Sequence, residues 1–388
     1  MTRDAVTFRN GRIFDGTRLV EGHAIRFENG SVTAFGHEAD VADEGETVDL
    51  AGDILGPGYT DLQVNGGDGV MFNQAPTVET LRRIAGAHRR LGVTQLLPTL
   101  ITDTPETTRA AIAAATEAVH AGVPGIAGLH LEGPHLSIAR KGAHDPALIR
   151  PMEEQDLDAL VAASRALPVL KITVAPENVT ETQVSTLAGA GALVSLGHTD
   201  AGFDTCRRYV AAGARCATHL FNAMSQLGNR EPGLVGAALA SGALWAGLIA
   251  DAIHVHPETV RAAWAAKRGP GRIFLVTDAM AVAGTDKTRF ELNGRAITRR
   301  NGVLTLADGT LAGADLDLTT AIRVLVEEVG IDLETALQAA TSIPASLIGR
   351  PIAEWAKAAR LADTIRISAD LSGATPLESS CAPLKPVA

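Results

Sequence analysis

Eight times between Tyr59 and Thr277, a short apolar run of β-type composition is followed by a longer stretch of helical character. The strand candidates are 59–64, 93–98, 125–131, 169–174, 192–196, 214–218, 245–249 and 273–277. Helical stretches such as 78–91, 105–120, 154–167 and 257–267 lie between them. Eight such units over roughly 220 residues fit a (β/α)8 barrel. The competing arrangement is an open doubly wound sheet, which wants a Gly-rich phosphate loop after its first strand. Gly66, Gly67 and Gly69 are too irregularly spaced to form one.

Four of these runs end in polar segments that carry chemistry: HLEGP (130–134), LGHTD (196–200), ATHLFN (217–222) and VTDA (276–279). They offer Glu132, His198, His219 and Asp278 from distant parts of the chain. One face of an α/β barrel, the face of the strand ends, is where such groups converge. Alone, Glu132 reads as a cap or a loop residue, and each histidine as a structural one. Together, a carboxylate and two imidazoles form a zinc-type ligand set with a coordination position left open for water. Asp278 alone would read as a helix N-cap, but the residues after it start a helix poorly. A carboxylate there suits a general acid/base that takes a proton from water and returns it to a leaving nitrogen. The combination points to a metal-dependent hydrolase.

The rest of the chain frames this barrel. Residues 1–56 alternate β-type runs (5–9, 24–28, 31–35) with turns, and Asn29-Gly30 is a hairpin signal. Nothing helical is expected before Pro76. Beyond the eighth strand, 290–297 and 300–306 contain two further hairpin signals, Asn293-Gly294 and Asn301-Gly302. Helices are expected over 315–329, 333–340, 345–348 and 352–360, and a strand over 364–368. The expected division is a small β-domain in 1–56, a barrel in 57–350, and a segment 351–388 that partly completes the small domain. The fold class is then a (β/α)8 barrel with a small β-sandwich built from both chain termini.

Bulk properties exclude several classes. The 388 residues are 46% hydrophobic and only 4% aromatic, with a formal net charge of −10 and no run of lysine or arginine, so no nucleic-acid footprint is present. Cys206, Cys216 and Cys381 are too few and too irregular for a disulfide framework or a Cys-rich zinc site. The first residues lack the apolar core of a signal peptide. The apolar stretch 234–250 is broken by Gly236, Gly242 and Gly247 and is shorter than the roughly 20 residues of a spanning helix, so it reads as helix, turn and strand. The expectation is a cytoplasmic protein with no membrane partner.

The motifs also carry a resemblance. PGYTD (57–61) with QVNGG (63–67), KGAH (141–144), GHT (197–199), THLFNAM (218–224), REPG (230–233), ADAIHV (250–255), VTD (276–278) and LAGA (311–314) run in order over about residues 50 to 350. With HLEGP, this set resembles the amidohydrolase superfamily, and within it the family of N-acetylglucosamine-6-phosphate deacetylases. The resemblance implies metal ligation by Glu132, His198 and His219, acid/base catalysis by Asp278, and polarisation of the acetamide carbonyl by His144. It also implies substrate contacts from Ala143, Asn222, Ala223, His254 and the segment Leu311, Ala312, Gly313 and Ala314. Arg230 matches a phosphate-binding arginine that reaches in from the second subunit of a homodimer. Most superfamily members carry a His-x-His after the first strand to hold a second metal. Here Gln63 and Asn65, neutral amides, stand at those positions. One divalent metal per subunit is therefore expected, zinc first, with Fe2+, Mn2+ and Co2+ as other candidates. The implied reaction is hydrolysis of N-acetylglucosamine 6-phosphate to glucosamine 6-phosphate and acetate. The galactosamine epimer, another N-acyl substrate, or a barrel reused as a scaffold are the alternatives. The tail departs from the family pattern, with 361–367 a weak echo of its closing strand.

Overall fold

The computed structural model describes residues 5–42, 45–352 and 354–377. Eight parallel strands pair in chain order: β1 (Tyr59–Val64), β2 (Val93–Ile101), β3 (Leu129–Glu132), β4 (Leu170–Val174), β5 (Leu193–Leu196), β6 (Cys216–Ala217), β7 (Trp245–Leu248) and β8 (Ile273–Leu275). Helices α1 (Val78–Arg90), α2 (Pro105–His120), α3 (Glu154–Ala166), α4 (Glu181–Gly189), α5 (Phe203–Ala212), α6 (Gly233–Ala240), α7 (Pro257–Ala266) and α8 (Leu318–Val324) follow the strands one by one. Polar side chains start several of them: Thr77, Thr104 and Asp317 accept from Thr80 N, Thr107 N and Thr320 N, satisfying backbone donors that a helix leaves free. The barrel closes just past the last ladder. Asp278 N donates to Gln63 O at 3.0 Å and Asn65 N to Ala279 O at 2.9 Å, with Val64 bridged to Ala279.

Boundaries differ from the sequence expectation where backbone geometry intervenes. β3 starts at Leu129 rather than 125, and Glu132 is its last residue rather than a residue beyond it. A Cβ on Gly128 would stand 2.0 Å from Val169 O, so the chain crosses its neighbour there before the ladder begins. β2 runs past Pro98 to Ile101, because a register shift between Leu96 and Pro98 absorbs the missing N–H. β6 and β8 are shorter than expected; the chain leaves β6 through His219, whose φ is 31°. The stretch 234–250 becomes α6, a turn and β7, and no helix among the described residues is long and apolar enough to cross a membrane.

After β8 a three-stranded antiparallel meander (Arg289–Leu292, Arg295–Arg300, Val303–Thr305) turns at Asn293-Gly294 and Asn301-Gly302. All four turn residues have positive φ, 49° to 74°, as a two-residue hairpin of right-handed twist requires. The meander packs Phe290, Leu292, Ile297 and Leu304 on Met71, Ile101 and Met280, above the barrel. The helix expected over 315–329 is α8 followed by a π-helical turn, Leu325–Val329, and the segment 352–360 holds only one helical turn, Trp355–Ala358. Short 3-10 turns at Glu38–Asp40 and Phe72–Gln74 precede Pro76, where none was expected.

Both chain ends build the second core. One sheet runs Ala374–Pro376, Thr364–Ile367, Ile54–Pro57, Arg12–Phe14, Leu19–Glu21; the other runs Ser31–His37, His23–Glu28, Ala5–Arg9, Glu46–Asp49. Phe8, Ile13, Ile25, Phe27, Leu55, Trp355 and Leu361 are buried together between them. Within the weak echo at 361–367, Leu361–Asp363 is a 3-10 turn and Thr364–Ile367 a strand of the sandwich. Residues from 378 on, Cys381 among them, lie outside the described part.

Candidate metal centre

The strand ends bring Glu132, His198 and His219 together. Inward residues alternate along a barrel strand, and on β3 His130 and Glu132 are both buried. His130 bridges β2 and β4 through Thr99 (3.2 Å) and Thr173 (2.7 Å), and Glu132 follows it at the rim. His198 and His219 come immediately after β5 and β6 with φ of 47° and 31°, and Asp278 follows β8 with φ of 51°. Left-handed conformations cost non-glycine residues about 1–3 kcal/mol each and persist only where surroundings over-determine them. Here they swing three functional side chains over the barrel mouth.

Glu132 Oε1 lies 3.1 Å from His219 Nε2 and 3.3 Å from His198 Nε2, and the two Nε2 atoms are 3.0 Å apart. All three residues are buried, and their donor atoms fall within 4.8 Å of one another. His198 Nδ1 is 2.8 Å from Arg140 O, which can only accept, so Nδ1 carries the proton and Nε2 presents a lone pair. Two imidazole lone pairs and a carboxylate facing one another repel unless a proton or a cation lies among them. His219 Nδ1 has no partner. The donor set, its closeness and the backbone-oriented His198 fit a divalent cation with nitrogen and oxygen ligands. Burial resists charge on Glu132, but a proton held between it and the His198 and His219 Nε2 atoms outweighs burial and keeps the carboxyl well below its usual range.

Asp278 faces this cluster. Asn65 Nδ2 donates to its Oδ1 at 2.7 Å and Gln63 Nε2 at 3.1 Å, while Gln63 Nε2 also reaches both Glu132 oxygens at 3.2 and 3.3 Å. The amide nitrogens are thus engaged by carboxylates, while Gln63 Oε1 and Asn65 Oδ1 have no hydrogen-bond partner among the described residues. Burial, then the charge of Glu132, raises the Asp278 pKa above the ordinary carboxylate range. His144 completes the ring of groups: its imidazole stands edge-on to His198 with centroids 4.4 Å apart. Ala143 beside it is tied by its carbonyl to the Arg295 side chain of the meander.

Other expected site residues line the same face. Asn222 and Ala223 follow His219, with Asn222 N on His219 O at 2.9 Å and Ala223 at φ 47°. Ala314 N donates to Asp278 O at 3.0 Å, Ala312 N to Leu304 O at 3.1 Å, and Leu311 bridges Thr305. Gly313 has φ 64°, and a Cβ there would meet Asp278 O at 2.8 Å, so only glycine fits. His254 lies after β7 with Nδ1 2.6 Å from Asp251 Oδ2, which fixes the ring. Arg230 does not join the cluster within its own chain. It is exposed on the loop after β6 and has no hydrogen bond or ion pair among the described residues.

Sequence reasoning missed Asp61, Thr102, Thr277, Arg140 and Arg295. Thr102 could have been found by extending the strand-end rule to β2. Arg140 acts through its carbonyl and leaves no sequence signal.

Residues 54–354 match the amidohydrolase family. An N-acetylgalactosamine-6-phosphate deacetylase of Shewanella sp. (strain ANA-3) is 46% identical over 302 residues, 78% of this chain and 76% of that protein. An N-acetylglucosamine-6-phosphate deacetylase of Haemophilus influenzae is 36% identical over 307 residues, 78% of this chain and 79% of that protein. The crystal structure of N-acetylglucosamine-6-phosphate deacetylase from Pasteurella multocida superposes with a TM-score of 0.88 at 32% identity, covering 95% of this chain and 97% of that one. The chain belongs to the amidohydrolase family, in the group that contains the amino-sugar 6-phosphate deacetylases.

Proposed function

We propose that the protein hydrolyses the N-acetyl group of N-acetylglucosamine 6-phosphate, giving glucosamine 6-phosphate and acetate. The observation that carries this reading is the convergence of Glu132, His198 and His219 with Asp278 and His144 on one barrel mouth. Glu132, His198 and His219 would hold one divalent metal, zinc first, with Fe2+, Mn2+ and Co2+ as other candidates. Such an ion supplies Lewis-acid activation of water and of the scissile carbonyl. Asp278 accepts the proton of the attacking water and delivers it to the departing nitrogen. Its orientation comes from Asn65 and Gln63, whose neutral amides are poor zinc ligands beside a histidine or carboxylate. His144 donates a hydrogen bond to the carbonyl oxygen as negative charge develops there.

Ala143, Asn222, Ala223, His254 and Leu311 to Ala314 form the sugar-phosphate side of the site. Arg230, without a partner among the described residues, supplies a guanidinium fork for the phosphate across a homodimer interface. The barrel, 57–350 in the expected division, forms the catalytic unit, and the described parts of 1–56 and 351–377 the small one. The galactosamine epimer is a second reading, favoured by the 46% identity to the Shewanella deacetylase named for it. Measuring kcat/KM on both 6-phosphates tests the proposal. A preference of tenfold or more for the gluco epimer supports the first reading, the reverse supports the second, and no turnover of either contradicts both.

A further inference from the structure

The chemistry proposed for His144 requires a hydrogen on the ring nitrogen that faces the substrate. Neutral imidazole carries one N–H, and the partner of the other nitrogen decides which one it is. Thr102 stands just past the end of β2, buried, with its backbone N–H 3.3 Å from His144 Nδ1 and its hydroxyl oxygen 2.7 Å from the same atom. A backbone N–H can only donate, so Nδ1 is an acceptor there. The hydroxyl's other acceptor, Glu132 O, is at 3.4 Å, so the shorter bond to Nδ1 takes its hydrogen. Nε2 has no protein partner among the described residues.

We propose that Thr102 is a positioning residue that fixes His144 as the Nε2–H tautomer and aims that hydrogen at the carbonyl oxygen of the substrate. This rests on the role given to His144 above. Two donors converge on one nitrogen, which holds the ring in plane as well as in protonation state. The Arg295 contact to Ala143 O steadies the same loop from the opposite side. Thr102 also touches β3 through Glu132 O, so its hydroxyl links the carbonyl-polarising histidine to the strand that carries a metal ligand.

The test uses the zinc-loaded enzyme and three variants: Thr102→Val, which is isosteric and lacks the hydroxyl, Thr102→Ser, which keeps it, and His144→Asn. In the wild-type protein, 15N-resolved imidazole spectra, with the His144 signal assigned by its loss in His144→Asn, should show the Nε2–H form. Thr102→Val should lower kcat about 10- to 100-fold with KM changed less than about threefold and metal content unchanged. Thr102→Ser should recover most of kcat. A Thr102→Val enzyme with full kcat while His144→Asn is crippled overturns the role of Thr102 alone, whereas a wild-type Nδ1–H tautomer overturns that role and the hydrogen bond assigned to His144. Full activity in His144→Asn overturns the role of His144, and this proposal with it.

Discussion

Asp61 accepts three hydrogen bonds at the barrel seam: from the Thr277 hydroxyl at 2.5 Å, the Thr277 N–H at 3.3 Å and the Gln63 N–H at 3.1 Å. Its carboxylate takes the place of a main-chain carbonyl where the β8 ladder stops, and so sets the turn that holds Asp278. Burial pushes its pKa up to about 7 despite those bonds. The folded protein therefore binds more protons at this site than the unfolded chain between about pH 4 and 7. Stability contributed by the protonated form is present below about pH 4 and lost as pH rises to about 7, then constant. Asp61→Asn should remove that slope. Thermal midpoints from pH 4 to 8 check it, and parallel curves for the two proteins would contradict it. His88, which burial holds down to about 4, acts in the opposite sense but is common to both.

Asp278→Asn keeps the shape of the side chain and its contacts to Asn65 and Gln63 but removes the proton acceptor. Turnover should fall about 10²- to 10⁴-fold with metal content unchanged. Steady-state assays beside elemental analysis decide it; near-normal kcat would remove Asp278 from the role.

Elemental analysis of the wild-type protein should find one divalent metal per chain, and Glu132→Ala or His198→Ala should lose it. Two metals per chain would contradict the argument from Gln63 and Asn65, and none would contradict the centre itself. Chelation should abolish activity, and added divalent metal should restore it.

Arg230→Ala should raise KM for the phosphorylated substrate about 10- to 100-fold, the loss of a charge-assisted fork on a phosphate. Mixing it with Asp278→Asn under conditions that exchange subunits tests the trans arrangement. Mixed dimers hold one site with Asp278 and a partner arginine, so activity should reappear. No recovery would place Arg230 in its own site or outside catalysis.

Much of the fold and the centre was legible because it follows from alternation and from strand ends. The runs before Glu132, His198, His219 and Asp278 had to be strands, and a barrel brings their ends together. Gly128 hid the true start of β3, since the clash that excludes a side chain there involves Val169, far along the chain. The seam was hidden too, because Asp61 and Thr277 stand in two separate motifs, PGYTD and VTD, and meet only on barrel closure. Thr102 and Arg140 act through a hydroxyl and a carbonyl, groups whose purpose appears only once His144 and His198 stand beside them. Arg230 shows the limit in the other direction: the resemblance assigns it a phosphate, and among the described residues its side chain stands exposed without a partner.

The most direct test of the central claim is the product balance of the purified, zinc-loaded enzyme acting on N-acetylglucosamine 6-phosphate. One acetate and one free amine should form per substrate consumed, with the phosphate ester intact. Release of inorganic phosphate instead, or no acetate from either epimer, would contradict that claim.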